Sequence, residues 1–198
     1  MRSGALALAG TVALATGAAA CGSSSSKGSA AKTVTPNGPE VSPSGDIPDN
    51  QAYVAYRPPG SGFSVRYPEG WARTTAAGGI TSFTDKLNRI EMQERPAAGG
   101  LTAAQARRTL VPALAKSVPG FAAPTVSMVT RTAGPAIRIA YTASAPADPV
   151  TGKSHTDTVE RYVFFHRGRS VVLTLSAPRG ADNVDPWRIV TDSLRYTR

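Results

Sequence analysis

Apolar and polar residues alternate in short runs from about Tyr53 onward, which is the pattern of strands with one buried face. In residues 63–67, Phe, Val and Tyr alternate with Ser and Arg, and the Pro-Glu-Gly sequence at 68–70 ends the run as a turn. Because these runs follow one another after brief connections, we expect an antiparallel meander. Three further short strands are predicted at 71–75, 80–84 and 90–94.

The spacing of apolar residues changes to three and four in the segment 101–118, which predicts a helix. Thr102, with Gln105 three positions later, is the signature of a capping box at its start. Pro112 should kink or divide this helix, because proline removes a backbone donor and crowds the preceding turn. The apolar stripe consists of Ala103, Ala106, Leu110 and Leu114.

Strands return after this helix. They are predicted at 125–131 and 137–142, and a hairpin is predicted from 156–166 and 169–176 around Gly168. Alternation places three apolar residues of the last strand on one face, namely Val171, Leu173 and Leu175.

A closing helix is predicted near the C-terminus, with Asp185 as its N-cap and Pro186 in its first position. Its apolar stripe contains Trp187, Val190 and Leu194. Both Trp71 and Trp187 should be buried, because each begins an apolar pattern after a turn or cap. This order of strands and helices predicts an α+β domain, in which an antiparallel sheet is layered with helices.

The N-terminus resembles a bacterial lipoprotein signal. Arg2 is followed by an apolar stretch at 5–15, by small residues at 17–20 and then by Cys21. In that class the cysteine is acylated and residues 1–20 are removed, and two or three acyl chains anchor the protein stably. The alternatives are an ordinary secretory signal and a retained transmembrane helix, for which the Ala- and Gly-rich stretch is short, since a span needs about 20 residues.

The segment 21–50 is predicted to be a lipidated cysteine followed by a disordered linker. Ser, Gly and Pro make up 15 of the 29 residues from 22 to 50, a composition that leaves little to bury. The folded domain is therefore predicted at 51–198, and no core residue is expected upstream of Gln51.

The predicted domain carries the whole basic excess of the chain. The formal net charge is +9, and residues 51–198 hold 19 of the 22 Lys and Arg and 10 of the 13 Asp and Glu. Outside the cell, anionic lipid headgroups or acidic wall polymers are better partners than nucleic acid, which we do not expect to bind. Alternatively, the arginines form a solvated surface that has no partner.

Four arginines are candidates for a cationic binding stripe, provided that their strands are neighbours: Arg138, Arg161, Arg167 and Arg169. The alternative is a solvated sheet face. His166 lies beside two of these arginines at a hairpin turn, which makes it a poor metal ligand.

Residues with catalytic or metal-binding chemistry are few. A single cysteine excludes an internal disulfide and a Cys-cluster metal site, and the common nucleophile, zinc, dinucleotide and calcium motifs are absent from the sequence. His155 lies near Asp148 and Asp157, with which it could form a metal site or an acid–base pair. The segment is rich in turn residues, however, which is typical of a solvated loop that leads into a strand. Glu91 and Glu94 should lie on opposite faces of one strand. We predict no catalytic residue, no metal and no cofactor.

The segment Gly62-Phe-Ser-Val-Arg-Tyr-Pro-Glu-Gly-Trp71 resembles the opening of PsbP-like domains, in which a strand leads through Pro and Gly to Trp. The closing segment, from Trp187 to Ser193-Leu194-Arg195, is similar to the end of such domains, so the resemblance covers residues 53–196. The chain most resembles actinobacterial envelope lipoproteins of the LpqN type. The resemblance implies an antiparallel sheet in an α/β/α sandwich, used as a binding or accessory module, and it carries over no catalytic residue and no partner.

These observations favour a non-enzymatic binding or accessory module of the bacterial cell envelope, anchored through Cys21 to the outer face of the plasma membrane. An envelope protein, a glycolipid or an acidic wall polymer would be its partner. One alternative is a lipid or glycolipid carrier, which an apolar cavity of several hundred Å3 between helix and sheet would favour. Another is an envelope hydrolase, which convergent polar groups with perturbed pKa would favour.

Overall fold

The computed structural model describes residues 44–147 and 152–197. The predicted signal peptide, Cys21 and the predicted linker up to residue 43 lie outside the described residues, as does Asp148. In chain order the elements are β1 (Tyr53–Tyr56), β2 (Phe63–Pro68), β3 (Ala72–Ala76), β4 (Ile80–Asp85), β5 (Asn88–Pro96), α1 (Ala103–Ser117), β6 (Ala122–Arg131), β7 (Gly134–Ser144), β8 (Thr156–His166), β9 (Arg169–Pro178), α2 (Val184–Asp192) and β10 (Arg195–Tyr196).

Seven strands form the central sheet, in the order β3-β4-β5-β9-β8-β7-β6, and every neighbouring pair is antiparallel. The predicted antiparallel meander is confirmed for β3, β4 and β5, but β2, which was expected to belong to it, pairs with β1 and β10 instead. β5 joins this half of the sheet to the β6–β9 half by pairing with β9. A second sheet has the order β1-β2-β10. Its last strand is only two residues long, which is too short to show an alternation in the sequence.

One face of the central sheet, the α2 face, is covered by α2 and the small sheet. Phe63 of β2 and Trp187 of α2 share a core with Leu173 and Leu175 of β9. Trp71 is 8% exposed and Trp187 6%, so the prediction that both tryptophans are buried is confirmed. Because successive side chains of a strand alternate between faces, Val171, Leu173 and Leu175 of β9 all point to this face, as predicted.

The opposite face, the α1 face, is covered by α1 over β6, β7 and β8. Ala106 and Leu114 of the helix pack on Ile137, Ile139 and Tyr141 of β7. Helices therefore lie on both faces of an antiparallel sheet, and the predicted α+β layered fold is confirmed.

The structure confirms the capping box of α1 and tests whether Pro112 divides the helix. The Gln105 backbone N–H donates to the Thr102 hydroxyl, and the Thr102 N–H donates to the Gln105 side chain. Pro112 does not divide the helix, which is continuous from Ala103 to Ser117. Pro112 and Arg108, whose carbonyl lies one helical turn before it, are both exposed, so solvent replaces the missing backbone donor.

The start of α2 differs from the prediction. Asn183, not Asp185, is the N-cap residue, and Pro186 occupies the third helical position instead of the first. Asp185 lies in the first turn, where the positive end of the helix dipole favours a carboxylate. Leu194 is fully buried as expected, but it follows the end of the helix at Asp192.

The end of the predicted linker packs against the domain. Ile47 is 4% exposed and belongs to the core of the α2 face. Its backbone N–H donates to the Asn183 side chain at 2.8 Å, and the Asn183 amide donates to the carbonyl of Gly45 at 2.8 Å. The expectation that no core residue lies upstream of Gln51 is therefore wrong. A lone isoleucine among Pro, Gly and Asp shows no periodicity that could reveal its burial.

Candidate functional site

The four arginines of the predicted stripe do not lie together. Arg138 lies on the α2 face and forms an ion pair with Glu160. In the β7–β8 register Arg161 is opposite Ile139, not Arg138. Because successive side chains of a strand alternate between faces, Arg161 points to the α1 face. The two sheet arginines are thus on opposite sides of the domain.

The other two arginines of the predicted stripe lie at the β8–β9 hairpin. Arg167 is exposed in the two-residue turn, where it adopts a φ of +46°. Arg169 pairs with Glu94, with 2.8 Å between its Nε and the carboxylate Oε1. Glu94 also accepts from the backbone N–H of Gly62. Arg169 therefore joins β9 to β5 and to the start of β2.

The residues on the α1 face change from apolar to polar across the sheet. Under α1, the residues of β6 and β7 are apolar, whereas those of β5 and β9 beyond the helix are mostly polar. One cross-strand row shows the change, running from Glu91 through Thr174, Arg161 and Ile139 to Val126. β8 lies at the border between the covered and the uncovered part.

A groove lies along this border, and we call it the α1 groove. It has a volume of about 620 Å3 and is bounded by α1, by the loop that leads into α1, and by β8 and β9. This volume is within the range of about 300–1,000 Å3 typical of small-molecule sites. Its apolar lining includes Leu101, Leu110, Val163, Phe165 and Val172.

The polar lining of the α1 groove is cationic. Its charged residues among the described ones are Arg95 and Arg161, and its other polar side chains are Gln105 and Ser170. A small adjoining cavity of about 110 Å3 is lined by both arginines and by Glu91. The groove is larger than the cavities of about 460 Å3 beside β10 and about 330 Å3 beside Glu160.

Arg161 has no carboxylate partner within the described residues. Its Nη1 donates to the Thr174 hydroxyl at 3.0 Å, and among the described residues no carboxylate lies within 4 Å of its guanidinium. Burial is the main influence on its pKa and lowers it, and the positive charge of Arg95 acts in the same direction. Tyr141 and Glu91 oppose this lowering.

The carboxylate of Glu91 is directed toward another partner. Arg89 donates to it at 2.5 Å and the Ser82 hydroxyl at 3.3 Å. Glu91 and Arg161 are separated by β9, so their backbones are about 10 Å apart at the usual strand spacing. Glu94 lies on the other face with Arg169, so the prediction that Glu91 and Glu94 do not face each other is confirmed.

The two histidines take different places. His155 pairs with Asp157 at 3.0 Å, and burial raises the pKa of Asp157 although His155 opposes this. His166 stacks on Tyr196, with ring centroids 4.1 Å apart. No group of three or more His, Cys, Asp and Glu in residues 44–147 and 152–197 could hold a metal ion.

Sequence reasoning grouped Arg161 with the wrong neighbours, although a signal for the groove was present. Asp157, Val159, Arg161, Val163 and Phe165 share one face of β8, and Arg161 is the single charged residue among the last four. A charge between apolar residues of a strand face indicates a specific environment, because an unpaired buried charge is costly. That environment depends on the β5–β9 pairing, which local patterns do not reveal.

No protein-family model matches this chain, and no curated protein sequence matches it. Its fold is similar to a crystal structure from Bacteroides thetaiotaomicron at 15% identity and a TM-score of 0.48, over 73% of this chain and 48% of that one. This chain thus spans about half the length of that protein.

Two further solved structures are of the types that the sequence resembles. One is cyanobacterial PsbP from Synechocystis, at 13% identity and a TM-score of 0.48, over 79% of this chain and 98% of that one. The other is LpqN of Mycobacterium tuberculosis, which is involved in cell envelope biogenesis, at 17% identity and a TM-score of 0.40, over 76% of this chain and 87% of that one. These likenesses concern the fold and assign neither a ligand nor a site residue. Within the described ranges, no helix combines the length and apolar character needed to cross a membrane.

Proposed function

We propose that this chain is a non-enzymatic binding module of the bacterial cell envelope, anchored by acyl groups on Cys21, and that it binds its ligand in the α1 groove. The groove carries the proposal, because it combines an apolar lining with two arginines that form no ion pair with a described carboxylate. A solvated arginine surface, the alternative reading of the basic domain, would place its charges on exposed side chains. Arg161 instead is partly buried on the α1 face of the sheet, where its Nη1 donates to the Thr174 hydroxyl.

The lining of the groove supports a binding role. Its described polar side chains belong to Arg, Gln and Ser, and none is a histidine, a cysteine or a carboxylate. Arginine keeps its proton at all physiological pH values, so it orients an anion well and serves poorly as a general base. The predicted alternative of an envelope hydrolase finds no nucleophile and base within hydrogen-bond reach in this lining.

Crosslinking in intact cells tests the groove. A photoreactive amino acid at Phe165, which is 37% exposed at the groove, should give adducts with the ligand or partner. The same amino acid at Leu87, which is 40% exposed at the β4–β5 turn, is the matched control. Adducts from both positions alike, or from position 87 alone, would contradict a ligand in the α1 groove.

The anchor is tested separately. Cys21→Ala should move the protein from the membrane fraction to the soluble fraction after a high-salt wash, which removes electrostatic adhesion of the basic domain. Ser24→Ala, three residues away, is the control and should leave the protein membrane-bound. Retention of the Cys21→Ala protein in washed membranes would show that acylation is not the anchor.

A carrier is the second candidate function, favoured by the apolar residues of the groove between helix and sheet. A carrier must release its ligand to a second membrane, whereas a binding module keeps it. Transfer of a fluorescent lipid between vesicles, faster with the protein than without it, would identify a carrier. Binding without faster transfer would identify the module.

A further inference from the structure

Arg161 has unused hydrogen-bonding capacity at the α1 groove. A guanidinium presents five N–H donors in a planar fork that matches carboxylate and phosphate groups. One hydrogen bond is formed, to the neutral hydroxyl of Thr174. The remaining donors lie beside the cavity that Arg161 lines with Arg95.

Two other arginines of the central sheet have carboxylate partners. Arg138 pairs with Glu160, which also accepts from the Tyr162 hydroxyl at 2.5 Å. Arg169 pairs with Glu94 at 2.8 Å. These arginines join strands or layers, and each has a carboxylate beside it. Arg161 has a comparable position within the sheet and lacks that carboxylate. Arg131 of β6 also lacks one, but it donates to the hydroxyls of both Thr191 and Tyr162, whereas Arg161 donates to Thr174 alone.

Two cations meet in the groove with no anion in its described lining. The charge of Arg95 already opposes that of Arg161, and bringing like charges together raises the free energy of the empty site. An anion bound between them would remove this repulsion and use the free donors. Charge-assisted hydrogen bonds of this kind are the strong ones in proteins.

The apolar lining selects among anions. Leu110 of α1 faces Val163, Phe165 and Val172 of the sheet across the groove. A small inorganic ion would leave these side chains in contact with water. A ligand with an alkyl chain would cover them, and each buried methylene strengthens binding.

We infer that the α1 groove binds an anionic amphiphile with one alkyl chain, whose headgroup is held by Arg161 and Arg95 and whose chain lies along Val163, Phe165 and Val172. This inference rests on the proposed function, because it assumes that the groove is the ligand site. The positive charge of the groove and its apolar lining are both needed for this class of ligand. An acidic peptide would use the charge without the lining, and a neutral lipid the lining without the charge.

Isothermal titration calorimetry tests the inference with the chain from residue 22 onward, which keeps every described residue. The probes are inorganic phosphate and two amphiphiles, decyl phosphate and decyl glucoside, each amphiphile being kept below its micelle-forming concentration. We expect one decyl phosphate per chain, bound at least tenfold more tightly than either other probe. Octyl phosphate should bind up to about 15-fold more weakly than decyl phosphate, because two buried methylenes are lost.

Substitutions locate the headgroup. Arg161→Gln should raise the dissociation constant of decyl phosphate about 10- to 100-fold, which is the effect of a lost charge-assisted hydrogen bond, and should not change that of decyl glucoside. Arg161→Lys should have an intermediate effect, because lysine keeps the charge without the planar fork. Arg66→Gln removes the same charge from the exposed side of β2 and should leave both constants unchanged. Because the side chain of Arg95 is exposed, Arg95→Gln tests the headgroup site even if the substitutions at Arg161 prevent folding.

The outcomes separate this inference from the proposed function. Equal affinity for decyl phosphate and decyl glucoside would overturn the anionic selectivity and leave ligand binding in the groove intact. Equal affinity for decyl phosphate and inorganic phosphate would overturn the role of the alkyl chain. If Arg66→Gln weakened the binding of decyl phosphate as much as Arg161→Gln does, the phosphate would be attracted by the net charge of the domain and not by the groove. Binding of no probe, or only after removal of residues 22–43, would count against the groove as a free ligand site.

Discussion

Replacing Ile47 with Ala should lower the free energy of unfolding by about 3 kcal/mol. Ile47 is 4% exposed and packs in the core that contains Trp187 and Leu194. Removing a buried aliphatic side chain down to Ala costs about 2–5 kcal/mol, depending on how far the site collapses. Alanine keeps the backbone N–H that donates to Asn183, so the loss consists of packing alone.

Removing residues 44–50 altogether should cost more, about 4–6 kcal/mol. Asn183 is 3% exposed and would lose both the N–H of Ile47 and the carbonyl of Gly45. The Asn183 amide would keep only its hydrogen bond to Asn88, and the loss of partners from a buried polar side chain costs about 1–3 kcal/mol in addition to the packing. Because a domain has about 5–15 kcal/mol of total stability, a fragment that begins at residue 51 should be marginally folded.

Urea unfolding, followed by the fluorescence of Trp71 and Trp187, measures both changes. Ile189→Ala is the matched control, because Ile189 is 45% exposed on α2 and exposed substitutions change stability by no more than about 0.5 kcal/mol. The reasoning is refuted if Ile47→Ala unfolds at the same urea concentration as Ile189→Ala. It is also refuted if the fragment from residue 51 is as stable as the chain from residue 44.

Three other substitutions have measurable consequences for stability. Trp187→Ala should cost about 3–5 kcal/mol and lower the melting temperature sharply, while Val184→Ala, at a position 73% exposed on the same helix, should not. Without ligand, Arg161→Met should raise the melting temperature, because it replaces a desolvated cation with an apolar side chain of similar length; a lower melting temperature would contradict this. Burial raises the pKa of Asp157, against the influence of His155, so the folded chain holds that proton more tightly than the unfolded chain. This contribution to stability is complete below the unfolded pKa of about 3.9 and is lost as pH rises through the folded value. Asp157→Asn should therefore be more stable than the native chain at pH 7, with the difference disappearing at pH 3, and a difference independent of pH in thermal melts would show the assignment to be wrong.

The local elements could be predicted because their signals are local. The β8–β9 hairpin has alternating apolar residues on both sides of Gly168, and α1 has a capping box followed by a regular stripe. The end of α2 was harder, because Leu194 continues the apolar spacing after the helix has stopped. The start of α2 depends on Asn183, whose side chain forms hydrogen bonds with Ile47 and Gly45, which are more than 130 residues earlier in the sequence.

The α1 groove depends on information that local patterns do not contain. Alternation in β8 is enough to place Arg161 and Tyr162 on opposite faces of the sheet and to show that Arg161 lies between the apolar residues Val159 and Val163 on its own face. The neighbours of Arg161 are set by the pairing of β5 with β9, which joins distant segments. The uncovered part of the face also depends on where α1 packs, and nothing in the sequence of α1 specifies which strands it covers.

The distant pairings have a consequence for the order in which the domain can form. The Ile47 backbone N–H donates to the Asn183 side chain, 136 residues further along the chain. β2 pairs with β10, and β5 pairs with β9. Domains rich in such contacts fold slowly, because long loops must close before the contacts form. The proposed export delivers the chain N-terminus first, so β2 and β5 emerge before β10 and β9, with which they pair. Folding should therefore finish only when the last residues have crossed the membrane.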